Sequence, residues 1–210
     1  MNWLAHVFLS PPAEVDFQLG NLLADLVRGD DRGGMSAQFL RGAQCHKAID
    51  SYTDAHPVVR RSRARIGSEY RRFSGVLVDI FYDYLLASRW SAYAAVPLDR
   101  FTGDFYAAVR RRGMPLPEQA QVTLTHILRE DLLGSYRHLD GVERALARLG
   151  GYLSRRWNRE FALERGARIL RTQEQDFAAD FAEFFPQLQA YVAGQAAQPS
   201  GTIGEDCMER

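Results

Sequence analysis

Apolar residues recur at helical spacing along nearly the whole chain, and this periodicity restricts the possible folds more than any other feature. In the clearest stretch, Phe73, Val76, Leu77, Ile80 and Tyr84 follow the spacing i, i+3, i+4, i+7 and i+11, which places them on one helical face. Strand-like alternation is scarce, and no Asn-Gly or Asp-Gly turn lies between two alternating runs. The sequence therefore predicts an all-α protein.

Capping residues, glycines and prolines divide this periodic chain into separate helices. Ser36 is a candidate N-cap, and Pro57 disfavours helical geometry at the residue before it. We expect helices over residues 14–27, 36–53, 58–66, 69–95, 98–111, 117–133, 141–149 and 160–192, the last bent near Pro186. The small polar stretch 195–210 has little to bury, so we expect one domain over residues 1–194 followed by a disordered tail.

Charge and cysteine content exclude several classes of protein. Lys plus Arg and Asp plus Glu both number 26, so no global field favours nucleic acid or an anionic membrane. No apolar run approaches the roughly 18 residues of a membrane span, and the first residues do not form a signal peptide. Cys45 and Cys207 match neither a disulfide framework nor a zinc spacing, which favours a cytoplasmic protein. Motifs of P-loop, dinucleotide-binding and nucleophile-elbow proteins are missing from the sequence.

Titratable residues lie on an apolar helical face where a core is expected. His46 and Asp50 share a wedge of roughly 60° with Phe39 and Ala43. Because they are four residues apart, their Cβ atoms lie about 6 Å from each other, close enough to share one ion or one hydrogen bond. Asp54 continues this row and His56 follows it, although both residues also suit a helix end before Pro57.

Two more helices carry acidic residues beside an apolar stripe. Asp79 and Asp83 are again four residues apart, and Asp25 borders the apolar face of an earlier helix, with His6 nearer the start of the chain. Each has an ordinary alternative, such as a salt bridge or a buried hydrogen bond. Together they indicate a bundle-core metal site, because several uncompensated buried carboxylates would each cost several kcal/mol. Mixed imidazole and carboxylate ligands favour Mn²⁺, Fe²⁺ or Zn²⁺ over Ca²⁺, and the carboxylate excess favours Mn²⁺ or Mg²⁺.

A strongly basic segment lies between the two carboxylate-bearing helices. Residues 58–72 have Glu69 as their one acidic residue, which leaves a local net charge of +5. Such a surface attracts an acidic partner, although a charge run is also typical of a solvated helix face. The arginines of this segment are Arg60, Arg61, Arg63, Arg65, Arg71 and Arg72.

Four blocks of sequence resemble a known family. They are Asn-Trp-Leu-Ala-His at residues 2–6, Gly-Asn-Leu-Leu-Ala-Asp at 20–25, His-Lys-Ala-Ile-Asp-Ser-Tyr-Thr-Asp-Ala-His-Pro at 46–57 and Asp-Ile-Phe-Tyr-Asp-Tyr-Leu-Leu-Ala at 79–87. Their order and spacing are similar to those of the acyl carrier protein phosphodiesterase family. The resemblance covers residues 2 to about 90.

This resemblance implies a single-domain, HD-like helical bundle that removes 4′-phosphopantetheine from holo acyl carrier protein, yielding the apo protein. It also implies Mn²⁺, with Mg²⁺ or Fe²⁺ as alternatives. No adjacent His-Asp pair, the doublet of the wider HD superfamily, occurs in the chain. On this reading the arginine-rich segment binds the acidic carrier protein.

The chemistry of phosphodiester hydrolysis suggests a role for each candidate residue. A divalent ion lowers the pKa of bound water and stabilises charge on phosphoryl oxygens. We expect His46, Asp50 and Asp83 to be the first ligands, followed by Asp25 and His6, with Asp79 beside them. We expect Asp54 or His56 to act as general acid or base and Lys47 to hold a phosphate oxygen.

Two other functions fit the same residues. One is an HD-type phosphohydrolase acting on a nucleotide or another small phosphoester. The other is a helical adaptor without enzymatic activity, whose arginines bind an acidic protein. Activity on holo carrier protein compared with small esters separates the first from the phosphodiesterase, and missing metal with intact carrier binding would favour the adaptor.

Overall fold

The structure, a computed structural model, describes residues 1–113 and 115–197 and contains ten α-helices and no strand within them. The all-α prediction is therefore confirmed. In chain order the helices are α1 (Trp3–Phe8), α2 (Val15–Leu23), α3 (Ala37–Ala55), α4 (Pro57–Arg65), α5 (Ser74–Ser88), α6 (Leu98–Arg111), α7 (Glu118–Arg129), α8 (Leu132–Ser135), α9 (Leu139–Trp157) and α10 (Ala167–Ala197).

Local signals set several helix boundaries as predicted. Ser36 caps α3, since its hydroxyl accepts a hydrogen bond from the Phe39 amide at 3.2 Å. Pro57 occupies the first position of α4, where its missing N–H costs nothing. The predicted helix 98–111 coincides with α6. Capping and proline signals therefore act here as short-range physics predicts.

Other boundaries differ from the prediction because turns interrupt the apolar pattern. The short helix α1 was not predicted. The expected helix 69–95 is shortened to α5, with 3₁₀ turns at Arg71–Phe73 and Trp90–Ala92 on either side. Conversely, α9 extends beyond the predicted 141–149 and ends where Asn158 adopts φ 47°, a left-handed C-cap.

The last helix begins later and bends elsewhere than expected. A 3₁₀ turn at Leu163–Gly166 precedes α10, whose non-helical residue is Gln173 with φ −125°, whereas Pro186 lies inside the helix. The helix continues to Ala197, three residues past the predicted end of the domain. The rest of the predicted tail, residues 198–210, lies outside the described residues, as does Cys207.

One hydrophobic core runs through these helices, from Leu4 of α1 to Leu188 of α10. Helix α5 lies at its centre, with every residue from Ile80 to Ala87 buried. Four phenylalanines of α10 are fully buried in this core: Phe177, Phe181, Phe184 and Phe185. None of the described helices is long and apolar enough to cross a membrane.

Helices α2 and α3 touch backbone to backbone. A Cβ atom at Gly20 would overlap the Phe39 carbonyl oxygen, and one at Gly42 would overlap the Phe17 carbonyl oxygen. Only glycine permits this approach at either position. The contact brings Asn21, on α2, directly against the part of α3 that carries His46.

Candidate metal centre

Three predicted ligands from two helices converge at one point. His6 of α1 and His46 and Asp50 of α3 each place one ligand atom within 4.8 Å of the others. The Nε2 atom of His6 lies 3.3 Å from Asp50 Oδ1, and that of His46 lies 3.1 Å from Asp50 Oδ2. The two imidazole rings stack with centroids 4.2 Å apart. Each oxygen of one carboxylate thus faces one histidine nitrogen.

Asn21 orients both histidines. Its side-chain oxygen lies 2.8 Å from Nδ1 of His6, and its main-chain oxygen lies 2.7 Å from Nδ1 of His46. Because these oxygens only accept, both Nδ1 atoms carry a proton, and a ring that is neutral therefore has its lone pair on Nε2. The Asn21 amide nitrogen donates to the His6 carbonyl and to Ser10 Oγ, both at 2.9 Å, which fixes the side chain.

The donor set fits a divalent transition-metal ion. Both histidines are buried, and neither Nε2 atom makes a hydrogen bond of good geometry. Buried nitrogen atoms without a hydrogen bond are costly unless another group or an ion satisfies them. Two imidazoles and a carboxylate suit ions such as Mn²⁺, Fe²⁺ or Zn²⁺ better than Ca²⁺. A partner carbonyl behind each imidazole is the usual support of metal-binding histidines.

Two further predicted acids lie beside this cluster. Asp25, in the 3₁₀ turn Ala24–Leu26, places Oδ2 3.6 Å from Nε2 of His46, and its side chain is 77% exposed. The Met1 ammonium lies 3.2 Å from Asp50 Oδ1 and 3.3 Å from Asp79 Oδ1. Asp25, Asp50 and Asp79 therefore add negative charge beside the cluster, and the buried Met1 ammonium offsets part of it.

Asp83 occupies a different position from the one predicted. Its side chain is fully buried, and its two oxygens accept hydrogen bonds from the amides of Leu4 and Ala5 at 2.8 and 3.1 Å. Burial raises the pKa of Asp83 to about 7, although these two amides favour its ionised form. Asp83 thus satisfies the free amides at the start of α1 and holds the helix that carries His6, instead of joining the ligand cluster.

The ionisation of the cluster follows from burial and from mutual contacts. Burial lowers the pKa of His6, which keeps its ring neutral. Burial acts on His46 in the same direction, but contact with Asp50 outweighs it and raises the pKa of His46. Burial alone would raise the pKa of Asp50, yet the close contacts with both imidazoles and with the Met1 ammonium hold this pKa well below the ordinary value. Asp50 is therefore a carboxylate, as a metal ligand must be.

The residues predicted for acid-base chemistry and phosphate binding do not join the cluster. Asp54 is exposed and forms an ion pair with Arg63 at 2.5 Å. His56 caps α4 by accepting from the Val58 amide at 3.3 Å, and its other nitrogen lies 3.3 Å from Gln187 of α10. Lys47 is exposed on α3. The structure thus places His56 at a helix end next to Pro57, which is the alternative role given for it in the sequence analysis.

Two of the arginines predicted to bind a partner are engaged inside the fold. Buried Asp180 of α10 contacts Arg61 at 2.7 Å and Arg65 at 2.9 Å, and it accepts a hydrogen bond from Ser62 at 2.7 Å. Arg61 also reaches Glu183 at 2.6 Å. These arginines fasten α4 to α10, so acids of the same chain pair with their charge, although 46% of the Arg61 side chain stays exposed.

The remaining arginines of that segment differ in their contacts. Arg60 donates to the Ala55 carbonyl at 2.7 Å, and Arg63 pairs with Asp54. Arg71 and Arg72 are exposed and form no ion pair within the part of the chain that the structure describes. The charge of this segment that no described acidic residue pairs with therefore lies at Arg60 of α4 and at the 3₁₀ turn immediately before α5, which carries Arg71 and Arg72.

The fold and this cluster define an all-helical protein with a two-histidine, one-carboxylate centre at a helix junction. Comparison with known proteins gives the particular family: residues 1–188 match the family model described as "Acyl carrier protein phosphodiesterase". The chain belongs to this family and is therefore a phosphodiesterase, a class of hydrolase. The predicted resemblance is confirmed, and it extends well beyond residue 90.

Individual relatives agree with the family assignment. The acyl carrier protein phosphodiesterase of Photorhabdus laumondii is 30% identical, over 90% of this chain and 93% of the relative. That of Pectobacterium atrosepticum is 29% identical over 93% and 99%, and that of Serratia proteamaculans is 32% identical over 90% and 95%. No solved structure matches the chain significantly, so the HD-like relationship stays a prediction.

Proposed function

We propose that this protein hydrolyses the phosphodiester of holo acyl carrier protein, releasing 4′-phosphopantetheine and the apo carrier protein, with a divalent ion held by His6, His46 and Asp50. The observation that carries the proposal is the convergence of two buried Nε2 atoms on one carboxylate, each imidazole fixed from behind by an oxygen of Asn21. The family assignment supports the reaction and the substrate.

The metal-binding residues suit this chemistry. A divalent ion bound there supplies a Lewis acid and lowers the pKa of water. We assign Mn²⁺ to the site, with Mg²⁺ or Fe²⁺ as alternatives, because the surrounding acids exceed the histidines in number. Asp50 keeps its charge through contacts with His6 and His46, so it offers both oxygens as donors. Asn21 prevents either imidazole from turning its protonated nitrogen toward the ion.

Asp25 is the residue we assign to proton transfer. Its exposed carboxylate lies on the accessible side of the cluster, with Oδ2 3.6 Å from His46 Nε2. This carboxylate would accept a proton at Oδ2 from the attacking water, and the leaving oxygen of the carrier protein would take up a proton from solvent. This assignment replaces the roles predicted for Asp54 and His56, which are engaged by Arg63 and by the start of α4.

Arg71 and Arg72 are the residues we assign to docking of the carrier protein. Acyl carrier proteins are small and acidic, and these exposed arginines form no ion pair among the described residues. Charge attraction of this kind speeds association and weakens as salt increases. We also place the reaction in the cytoplasm, on the sequence features given above.

Intact-mass spectrometry tests the reaction directly. The purified protein is incubated with holo acyl carrier protein and Mn²⁺, with EDTA in a parallel sample. We expect the carrier protein to lose the mass of phosphopantetheine in the Mn²⁺ sample alone. Unchanged carrier protein with Mn²⁺ demonstrably bound would refute the substrate assignment and favour a small phosphoester. Absence of bound metal would refute the metal centre.

A further inference from the structure

Arg63 differs from its neighbours on α4 in where its charge is directed. Arg61 and Arg65 lie on the helical face that meets Asp180 of α10. Arg63 is two residues from each, about 200° around the helix, and it meets Asp54 of α3 instead. Its side chain is 27% exposed. Arg63 therefore pairs with an acidic side chain of α3, the helix that carries His46 and Asp50.

The guanidinium of Arg63 has most of its hydrogen-bonding capacity unused. A single bond, from Nη2 to Asp54 Oδ1 at 2.5 Å, is its one hydrogen bond within the described residues. The Nε atom is buried and has no acceptor there. A guanidinium carries five N–H donors in a planar fork, so Asp54 holds one edge of the group and leaves other donors free.

The guanidinium of Arg63 also packs against Gly75 of α5. A Cβ atom at Gly75 would lie 3.4 Å from Arg63 Nη2 and 3.6 Å from Nε. The guanidinium therefore rests against the first turn of α5 at a position without a side chain. Arg63 lies between α3 and α5, held by one acid and one glycine.

Helical spacing relates this arginine to the metal centre. Asp54 is one turn after Asp50 on α3, and Gly75 is one turn before Asp79 on α5. Asp50 and Asp79 are themselves neighbours, since both contact the Met1 ammonium. The guanidinium consequently lies about one helical turn, about 5.4 Å along the axis, from the level of Asp50. His46 lies one turn from Asp50 in the opposite direction.

We propose that Arg63 binds a nonbridging oxygen of the substrate phosphodiester and that Asp54 positions its guanidinium. The inference rests on the proposed function and assigns this task to Arg63 instead of Lys47. Three carboxylates lie beside the cluster and the buried Met1 ammonium pairs with two of them, so a divalent ion would leave no net positive charge there for an anionic diester. Arg63 supplies one with free N–H donors about one turn away.

Binding to the metal-free protein isolates this contact from turnover. In EDTA, holo and apo carrier proteins are titrated against the wild-type protein, and their dissociation constants are compared. The two ligands differ by the phosphopantetheine group alone. We expect the wild type to bind the holo form about tenfold more tightly, and Arg63→Gln to bind both forms equally. Lys47→Gln should keep the wild-type preference.

Kinetics with Mn²⁺ gives a second measurement. We expect Arg63→Gln to lower kcat/KM about 100-fold and Arg63→Lys to recover part of the loss, because lysine keeps the charge but not the fork. Asp54→Asn should raise KM with a smaller change in kcat. Arg100→Gln, which removes an exposed arginine paired with Asp104 on α6, is the matched control and should leave both constants unchanged.

Each outcome decides the assignment. An unchanged holo preference in Arg63→Gln, or its loss in Lys47→Gln instead, overturns the role of Arg63 while wild-type turnover leaves the proposed function standing. Absence of turnover in the wild type overturns the proposed function itself. Circular dichroism checks folding, and if Arg63→Gln does not fold, a reduced holo preference in a folded Arg63→Lys supports the contact and an unchanged preference refutes it.

Discussion

Replacing Asn21 with alanine tests whether the side chain of this residue orients His6. The substitution removes three hydrogen bonds to nitrogen or oxygen, the one from His6 Nδ1 and the two that the amide nitrogen donates to the His6 carbonyl and Ser10 Oγ, and a weak one from the same amide to Cys45 Sγ at 3.8 Å. It leaves the main-chain oxygen that faces His46. At about 1 kcal/mol for each buried bond, the free energy of unfolding should fall by about 3 kcal/mol.

The effect on metal affinity is separate from the effect on folding. Loss of an outer partner of a metal-binding histidine lowers affinity by about 10- to 100-fold, which corresponds to about 1.4 to 2.7 kcal/mol. Competition with a fluorescent chelator measures the dissociation constant for Mn²⁺, and guanidinium titration measures unfolding. Ser10→Ala is the matched control, because it removes a partner of the same amide and leaves the His6 ring contact. An Asn21→Ala protein that binds Mn²⁺ as tightly as the wild type would refute the reasoning.

Three other substitutions test the supports of the fold. Asp83→Asn should lower the free energy of unfolding by about 2 kcal/mol and weaken Mn²⁺ binding. The reason is that the nitrogen of an amide side chain cannot replace the carboxylate oxygen that accepts from Leu4 or Ala5. An unchanged Mn²⁺ affinity in a titration would contradict this prediction. Gly42→Ala should cost about 3 kcal/mol in urea unfolding because its Cβ meets the Phe17 carbonyl, whereas Gly103→Ala on open surface should cost nothing. Burial would raise the pKa of Asp180, but hydrogen bonds from Arg65, Ser62 and Arg61 hold it below its ordinary value, so its stabilisation is present above about pH 4 and is lost as pH falls through the folded-state pKa. Asp180→Asn should therefore be about 2 kcal/mol less stable at pH 7, and thermal melts should show a smaller loss between pH 4 and pH 2 than the wild type shows.

The sequence alone predicted the part of the metal centre that lies within one helix. His46 and Asp50 are one helical turn apart, and the helix alone brings them to 3.1 Å. Asp83 shows that helical spacing alone does not identify a ligand. Asp79 and Asp83 are four residues apart, as His46 and Asp50 are, yet Asp83 does not join the cluster. What distinguishes it is the start of α1, a chain segment 79 residues away whose amides occupy both carboxylate oxygens. Helical periodicity contains no information about such a contact.

Two other features were beyond the reach of side-chain patterns. Asn21 stood in a block that resembled the family, but half of its role belongs to a main-chain oxygen, which any residue possesses. The charge of the arginine run was plain, yet Asp180, 119 residues after Arg61, neutralises part of it inside the fold. Local counting of charge gives the composition of a surface and not its accessibility.

The two imidazoles differ in how far mutation can alter them. His6 depends on the side chain at position 21, so substitutions there can retune its basicity or release its ring. His46 depends on a carbonyl oxygen of the backbone, which persists whatever residue occupies that position. Laboratory evolution toward another metal should therefore accumulate substitutions around His6, while the orientation of His46 stays unchanged.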